Sequence, residues 1–499
     1  MLRILGSRQK LCSGVTRREM LRAGGLGLAG LALPDVLRLQ EAAAAETAPR
    51  AKSFGRAKSI ILLHLYGGPS QLETFDPKPD APVEIRGDLG TIDSSLPGLR
   101  VGELLPHTSK VLDRCTVIRS MSHPYPIHGV AYALTGVPSV TVPMELNPRD
   151  TGHWPFFGSV VDYVETRSQA DRPRDIPANM ALPFKFSSRR VGEVPRAGPY
   201  AAFLGAEYDP VWTDFRGTPT RGIKKTLRDI VFTENDPYMG IAPGGKLVVP
   251  AVTDLQPELT VDRLDRRRSL ASQLEQQRGD LAETAAGRAF DRYRAMTYDL
   301  LQSDRLRRAL DPELEDAATK TLYGDSLFGL ACMTARRLIE AGTRVVTVFW
   351  DEYGVAGSGW DTHFNHYPRM KQELCPSFDV AFAGLILDLE QRGLLDDTLV
   401  VLTSEHGRTP KLNTKEGGGR DHWSRAYSNV VAGGGTARGK VVGSSDAHAS
   451  DVTSRSVSPK DLLATMYHLL GIDHHQMVHD SLGRPLPLVE GHVVGDVLA

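Results

Sequence analysis

The stretch from Leu327 to Thr403 constrains the fold more than any other part of the chain. Leu327 to Ala341 reads as a helix that stops at Gly342. Thr343-Arg344-Val345-Val346-Thr347-Val348-Phe349-Trp350 follows, a β-branched and aromatic run too continuous to leave one face wet. A second helix is expected from about Phe378 to Gln391, closed by Gly393, and Thr398-Leu399-Val400-Val401-Leu402-Thr403 is a second apolar strand. A strand buried on both faces must be covered by helices, and helix-glycine-strand repeated is the rhythm of right-handed crossovers between parallel strands. Ser59 to Tyr66 reads the same way, an apolar run closed by Gly67-Gly68-Pro69. The expectation is an α/β fold built on a mainly parallel sheet.

The remaining segments are less patterned. Val111 to Met121 reads as a further strand, and Arg149 to Pro250, rich in Pro, Gly and aromatics, as loops and short strands. Leu255 to Thr321 is charged, nearly free of Gly and helical in period, which predicts a helical insertion or cap.

Residues 1–45 read as an export signal rather than as part of the fold. Thr16-Arg17-Arg18-Glu19-Met20-Leu21-Arg22 is a twin-arginine pattern, Ala23 to Leu33 a short apolar run, and Ala42 to Ala45 a small-residue cleavage region. The apolar run has about 11 residues, too few at ~1.5 Å each for a hydrocarbon core of ~30 Å. The alternative is an ordinary basic N-terminus before an Ala-rich helix. The expected organisation is a twin-arginine signal at 1–45, a polar lead-in at 46–58 and one domain from 59 to 499. The twin-arginine machinery is then a partner, and the mature chain is periplasmic or at the cell surface. No later segment is apolar and long enough to span a membrane.

With 59 basic and 60 acidic residues, net charge −1, nothing suggests a polyanion partner, and no nucleic acid is expected. Apart from Cys12 in the signal, Cys115, Cys332 and Cys375 are scattered and form neither a disulfide framework nor a zinc ribbon. One disulfide among them is compatible with export, and the spacing does not choose the pair.

Ligands in parallel sheets bind beyond the carboxyl ends of the strands. Beyond Trp350 comes Gly359-Trp360-Asp361-Thr362-His363-Phe364-Asn365-His366. Beyond Thr403 comes Ser404-Glu405-His406-Gly407-Arg408, and soon after it Gly419-Arg420-Asp421-His422-Trp423. Each loop sets a carboxylate beside an imidazole, a mixed oxygen and nitrogen donor set that suits zinc, manganese or a similar divalent cation. One such pair alone would be an ordinary polar loop; three on converging loops point to a metal or anion site.

Gly384 to Gly407 resembles the segment leading into the metal-binding Asp-His-Gly of sulfatases and alkaline phosphatase-like enzymes. From about residue 56 onward the chain resembles the family named domain of unknown function 1501 (DUF1501). That likeness is carried by Gly67 to Pro79, His128 to Gly136, Tyr323-Gly324, Ala335 to Gly342, Ser404 to Pro410 and Gly419 to Trp423. The resemblance implies an alkaline phosphatase-like three-layer sandwich. It also implies that Glu405 and His406 stand for the Asp-His pair, His422 for the lone downstream His, and Asp361 with His363 or His366 for the carboxylate-and-His loop. One or two divalent ions are implied.

The departures from the pattern are specific. The superfamily's first strand ends in a metal-binding Asp, whereas Tyr66-Gly67-Gly68 stands here, with Glu73 or Asp76 as the replacements nearby. Pro126-Ile127-His128 fills the place of the nucleophile-bearing helix start, and Cys115 lacks the Pro of a sulfatase signature. His128 is a candidate nucleophile, ligand or general acid, or else a helix-start His bonded to a carbonyl. Ser70 is a second candidate catalytic residue, or caps the Gly-Gly-Pro-Ser turn. Arg408 is placed to hold an oxyanion, and Arg420 either does the same or pairs with Asp421. Lys78 reads as solvated.

The function expected is an exported metal-dependent hydrolase of phosphate or sulfate esters, not of the formylglycine type, acting on an anionic small-molecule or polysaccharide ester. The alternative is a non-catalytic anion- or glycan-binding protein on the same fold. Changing both Arg17 and Arg18 to Lys is expected to strand the precursor in the cytoplasm, as cell fractionation would show. Undiminished export of that variant would remove the twin-arginine assignment.

Overall fold

β1 (Ser59–Leu65) lies inside the main sheet, every residue of it buried, as its unbroken apolar run requires. The computed structural model describes residues 52–136, 141–148, 150, 152–168, 175–192, 195–227, 230–250, 285–355, 357 and 359–499. The expected signal peptide, residues 46–51 of the lead-in and residues 255–284 of the expected helical insertion lie outside the described residues. In chain order the other strands of the main sheet are β2 (Cys115–Met121), β3 (Asn179–Leu182), β4 (Val211–Trp212) and β5 (Val345–Trp350). They are followed by β6 (Thr398–Thr403), β7 (Tyr427–Ala432) and β8 (Lys440–Val442). Their spatial order is β8-β2-β7-β6-β1-β5-β3-β4. β1 pairs in parallel with β5 and β6, β5 with β3, β3 with β4, and β8 with β2. Only β7 runs against its neighbours β6 and β2. The expectation of an α/β fold on a mainly parallel sheet is met.

The alternation along β1 shows the layers. Ile61, Leu63 and Leu65 face a core shared with α6 (Leu327–Glu340) and α7 (Cys375–Gln391). Ile60 and Leu62 face the opposite core, with α1 (Val130–Thr135), α2 (Phe157–Ser168) and α8 (Pro459–Leu469). The described end of the insertion is helical as expected: α3 (Ala285–Gln302), α4 (Asp304–Leu310) and α5 (Ala317–Tyr323). Three local signals set helix starts, with Ser303, Ser326 and Ser458 each accepting a backbone N–H two or three residues into its helix.

Two expectations differ from what is observed. Thr108–Arg114 is a short 3-10 helix, so the strand read from Val111 begins only at Cys115. The carboxylate of Asp379 accepts from the backbone of His107 (2.8 Å) and Thr108 (2.6 Å) and fixes the helix start from 271 residues away in sequence, a cap no local pattern reveals. The stretch read as loops and short strands holds the short buried strand β3 but also a twelve-residue helix, α2. Cys115, Cys332 and Cys375 are free and buried, and burial pushes the Cys115 thiol up to about 12.

One buried ionic knot ties α6 to α7. Asp388 on α7 accepts from Arg336 Nε (2.7 Å), Tyr323 Oη (2.8 Å) and Arg392 Nε (2.7 Å), while Arg336 also reaches Glu315 (2.9 Å) and Glu340 (2.7 Å). Arg336 has no exposed surface, so losing a partner leaves a guanidinium without full compensation. Asp388→Ala is therefore expected to lower stability by about 3 kcal/mol in urea unfolding. A loss below about 1 kcal/mol would show that the knot behaves like a solvated surface cluster.

Candidate metal centre

The paired register Leu65 with Trp350 and His64 with Thr403 ends three adjacent strands at one level. The loops after β1, β5 and β6 therefore leave the same edge of the sheet, and the segment after β2 joins them with His123 and His128. Glycine lets them close up. A Cβ on Gly67 would stand 2.3 Å from the backbone nitrogen of Asp361, and one on Gly68 would stand 2.5 Å from His406 Nδ1; both glycines have positive φ. Farther along the chain, a two-residue antiparallel pairing of Gly407-Arg408 with His422-Trp423 folds His422 back beside His406.

Two overlapping donor sets result: His128, His406 and His422, and Asp361, His363 and His422. Within each set the donor atoms lie within 4.8 Å of one another. Asp361 Oδ1 is 3.0 Å from His363 Nε2 and 3.2 Å from His422 Nε2, and its Oδ2 is 3.2 Å from His128 Nε2. His363 and His422 face each other at 3.1 Å through Nε2. Asp421 sits behind His363, 2.5 Å from its Nδ1.

His406 gives the clearest test of what this arrangement can hold. Its Nδ1 donates to the carbonyl of Gly407 (2.9 Å), leaving Nε2 as a lone-pair donor, and Nε2 is buried without a hydrogen-bond partner. Burial, with His422, Arg408 and His128 nearby, holds its pKa well below the usual histidine value, so the ring is neutral. A buried nitrogen without a partner is costly in a finished core and is what a metal ligand looks like without its ion. The residues present thus fit a divalent cation.

Arg408 is fully buried and fixes Asp361. Its Nη2 is 2.5 Å from Asp361 Oδ1, and it also donates to the carbonyls of Gly68 (3.0 Å) and Arg420 (3.1 Å). Burial would raise the Asp361 pKa, but Arg408 first, then the three imidazoles, hold it well below the usual carboxylate range. Arg369 clamps the same loop from below, donating to the carbonyls of Asp361 (3.0 Å), Gly357 (2.7 Å) and Gly359.

His128 sits between two carboxylates, with Nε2 on Asp361 and Nδ1 3.1 Å from Glu405. Burial opposes its charge, yet the two carboxylates raise it to about 9. Tyr66 stacks on its ring at 5.0 Å, and the Arg190 guanidinium lies 3.9 Å from the Tyr66 ring centre, held in turn by Asp351. Glu405 itself has no exposed surface and is engaged by Gly67 N (2.8 Å), Ser404 Oγ (3.0 Å) and His64 (3.3 Å) besides His128.

Of the residues singled out from sequence, Asp361, His363, His406, His422 and His128 come together. Glu405 reaches the cluster through His128 rather than as a member of either donor set. His366 is not brought in: its Nδ1 bonds Thr362 Oγ1 (2.8 Å) and its Nε2 lies 3.2 Å from Glu73. Arg420, expected to face substrate or pair with Asp421, is buried against Glu73 (2.6 Å) and the carbonyls of Thr409, Pro410 and Ile85. Arg408 likewise turns to Asp361 instead of an open oxyanion position. Ser70 lies buried in the turn beside Glu73. Neither Glu73 nor Asp76 replaces the missing strand-end Asp: Glu73 serves Arg420 and His366, and Asp76 bonds Lys78 (3.0 Å), Arg119 and Ser445. Lys78 is thus paired rather than solvated. His64 and Tyr66 were missed as supports, and Asp421, read as the carboxylate of its loop or a partner of Arg420, instead supports His363.

Comparison with known proteins gives similarity at low identity. Ps i-CgsB, solved in complex with k-i-k-neocarrahexaose, is 11% identical over 84% of this chain and 72% of its own, with a TM-score of 0.37. The PsFucS1 sulfatase from Pseudoalteromonas sp. is 13% identical over 84% of this chain and 68% of its own, with a TM-score of 0.33. The phosphonate monoester hydrolase SpPMH from Silicibacter pomeroyi is 11% identical over 88% and 75%, with a TM-score of 0.30. No protein of curated function matches. The family described as protein of unknown function (DUF1501) matches residues 57–498, which is nearly all of the described structure, and the chain belongs to that family.

Proposed function

We propose that this chain is an exported, metal-dependent hydrolase of phosphate or sulfate esters that does not use formylglycine. The observation that carries the reading is the buried, partnerless Nε2 of a neutral His406, set in a cluster whose other ligand candidates are His363, His422 and Asp361 and which His128 borders. Zinc or manganese suits that donor set, and the overlap at His422 leaves room for one ion or two. When bound, such an ion acts as a Lewis acid on an ester oxygen and lowers the pKa of water. The protein's own groups do the rest. Arg408 and Arg369 hold Asp361 in place, so the cluster is oriented before substrate arrives. Glu405 fixes the Nδ1 side of His128, which leaves Nε2 as the proton-holding atom facing the cluster. No helix among the described residues is long and apolar enough to cross a membrane, and the twin-arginine pattern supports export of the folded chain.

The position of Cys115 supports the exclusion of formylglycine. It opens β2, whose far end leads to His123 and His128. A strand of seven residues puts it ~20 Å from the carboxyl edge of the sheet.

The exported protein is expected to contain stoichiometric zinc or manganese by elemental analysis and to hydrolyse aryl phosphates or aryl sulfates. Protein that purifies without metal and stays inactive with either ion added would instead favour the non-catalytic binder. His406→Ala is expected to weaken metal affinity by ~100-fold or more, read by competition with a chelating dye. His128→Ala is expected to lower kcat by roughly 100-fold or more, and Cys115→Ser to leave it within a few-fold. A correctly folded but inactive Cys115→Ser protein would overturn the mechanism.

A further inference from the structure

A cavity of about 180 Å³ opens beside Ala131, three residues beyond His128. Its walls come from four places: Ala131 on α1, the loop that carries Asp150 and Trp154, the loop that carries Tyr200 and Phe203, and Ser481 near the C-terminus. It is smaller than the ~300 Å³ of a drug-sized site and suits one ring. Three aromatic side chains line it, Trp154 and Phe203 half-buried and Tyr200 almost fully so.

The cavity is built rather than incidental. His153 donates from Nε2 to the carbonyls of Met144 and Asn147, both at 2.9 Å, and so fixes the turn that presents Trp154. Ala202 is held at φ 48°, a left-handed conformation costly for alanine, immediately before Phe203. Asp150 anchors Gly152 N through Oδ1 at 2.8 Å, whereas Oδ2 has only the long 3.5 Å contact to Asn147.

The segments that lead into these two loops pair with each other within electrostatic range of the metal centre. Arg196, two residues before Gly198 in the cavity wall, pairs with Glu145, and Ala197 N donates to the Glu145 carbonyl. That pair interacts electrostatically with His128, Glu405 and Tyr66. Ala131 follows His128 by three residues, which places the two Cα atoms at most ~11 Å apart. A molecule of two short parts could therefore touch both places.

We propose that this cavity is a binding subsite for a neutral pyranose ring, the part of a sugar ester adjoining the group cleaved at the metal centre. The C–H face of a pyranose is apolar and packs on indole and phenyl rings, while its hydroxyls donate to a carboxylate such as Asp150. The Asp150 carboxylate in the wall disfavours an anionic group in the cavity itself. The subsite rests on the ester-hydrolase reading only for the placement of the ester bond.

The test is saturation-transfer NMR and isothermal titration of the exported protein, as isolated and after chelation. The probes are methyl β-D-galactopyranoside, methyl β-D-glucopyranoside and methyl α-D-mannopyranoside. At least one is expected to bind in the millimolar range, with saturation strongest on its ring C–H protons and no competition from inorganic sulfate. Trp154→Ala and, separately, Phe203→Ala are expected to weaken that binding by roughly 10-fold or more with melting temperature kept. Absence of binding by all three pyranosides, binding untouched by both substitutions, or displacement by sulfate would each overturn the subsite. Pyranoside binding without ester hydrolysis would leave the subsite standing and remove the hydrolase reading. Aryl-ester hydrolysis without pyranoside binding would remove the subsite alone.

Discussion

The contact between Arg408 and Asp361 is the interaction on which the rest of the centre depends. A guanidinium with no exposed surface carries a large desolvation cost, and it persists only with a carboxylate and further acceptors in good geometry. Asp361 supplies the carboxylate, and the carbonyls of Gly68 and Arg420 supply the acceptors. In one stroke this ties the loops after β1, β5 and β6 together with the hairpin that returns His422. It also holds Asp361 ionised beside His128, His363 and His422, which is the protonation state a cation requires. The glycines at 67 and 68 are the steric condition for it, since any side chain there would occupy the space of Asp361 and His406.

Two networks in the same region show how to separate a structural ion pair from a functional one. Glu73, Arg420 and His366 form the first. Burial works against ionised Glu73, but Arg420 and His366 hold it well below the usual carboxylate range. The guanidinium of Arg420 is filled out by three backbone carbonyls. In that network every charge has an opposite partner and nothing points to an absent ligand. The second network, around Asp361, contains four imidazoles and leaves His406 Nε2 without a partner. Perturbed carboxylates and hydrogen-bond-free buried atoms occur in both, but in the first the two such atoms, His366 Nε2 and Glu73 Oε2, face each other at 3.2 Å, whereas His406 Nε2 has neither a hydrogen-bond nor an ion-pair partner.

The sheet was legible where burial on two faces writes a continuous apolar run, as in Ser59–Leu65, Val345–Trp350 and Thr398–Thr403. β3 was not, because four residues carry no period, and the start of β2 was not, because Asp379 caps the preceding turn from a distant helix. In the centre, Asp361, His406 and His422 were legible as carboxylates and imidazoles just beyond strand ends. The choice between His363 and His366 was not. They lie three residues apart around Asn365, whose left-handed φ of 50° reverses the chain between them, so one meets His422 and the other Glu73. The roles of Arg408 and Arg420 were also out of reach: a sequence shows that a guanidinium is present, not which carboxylate the folded loops bring to it.

The strand end at Tyr66 bears on what kind of cation this centre can prefer. An acidic residue there would add a hard oxygen donor, but Tyr66 instead stacks on His128, and Gly67 offers only its N–H, to Glu405. Glu405 is thereby drawn behind His128. With His128 holding a proton, the donors that remain are three imidazoles, His363, His406 and His422, and a single carboxylate. Magnesium and calcium demand oxygen ligands, whereas imidazole nitrogen suits zinc and the other first-row ions. Arg408 pushes the same way, because a fixed positive charge on Asp361 weakens its attraction for a hard cation more than it weakens a bond to neutral imidazole. With Tyr-Gly-Gly at this strand end, the cluster offers more nitrogen than oxygen donors, and Glu405 serves as the support of His128.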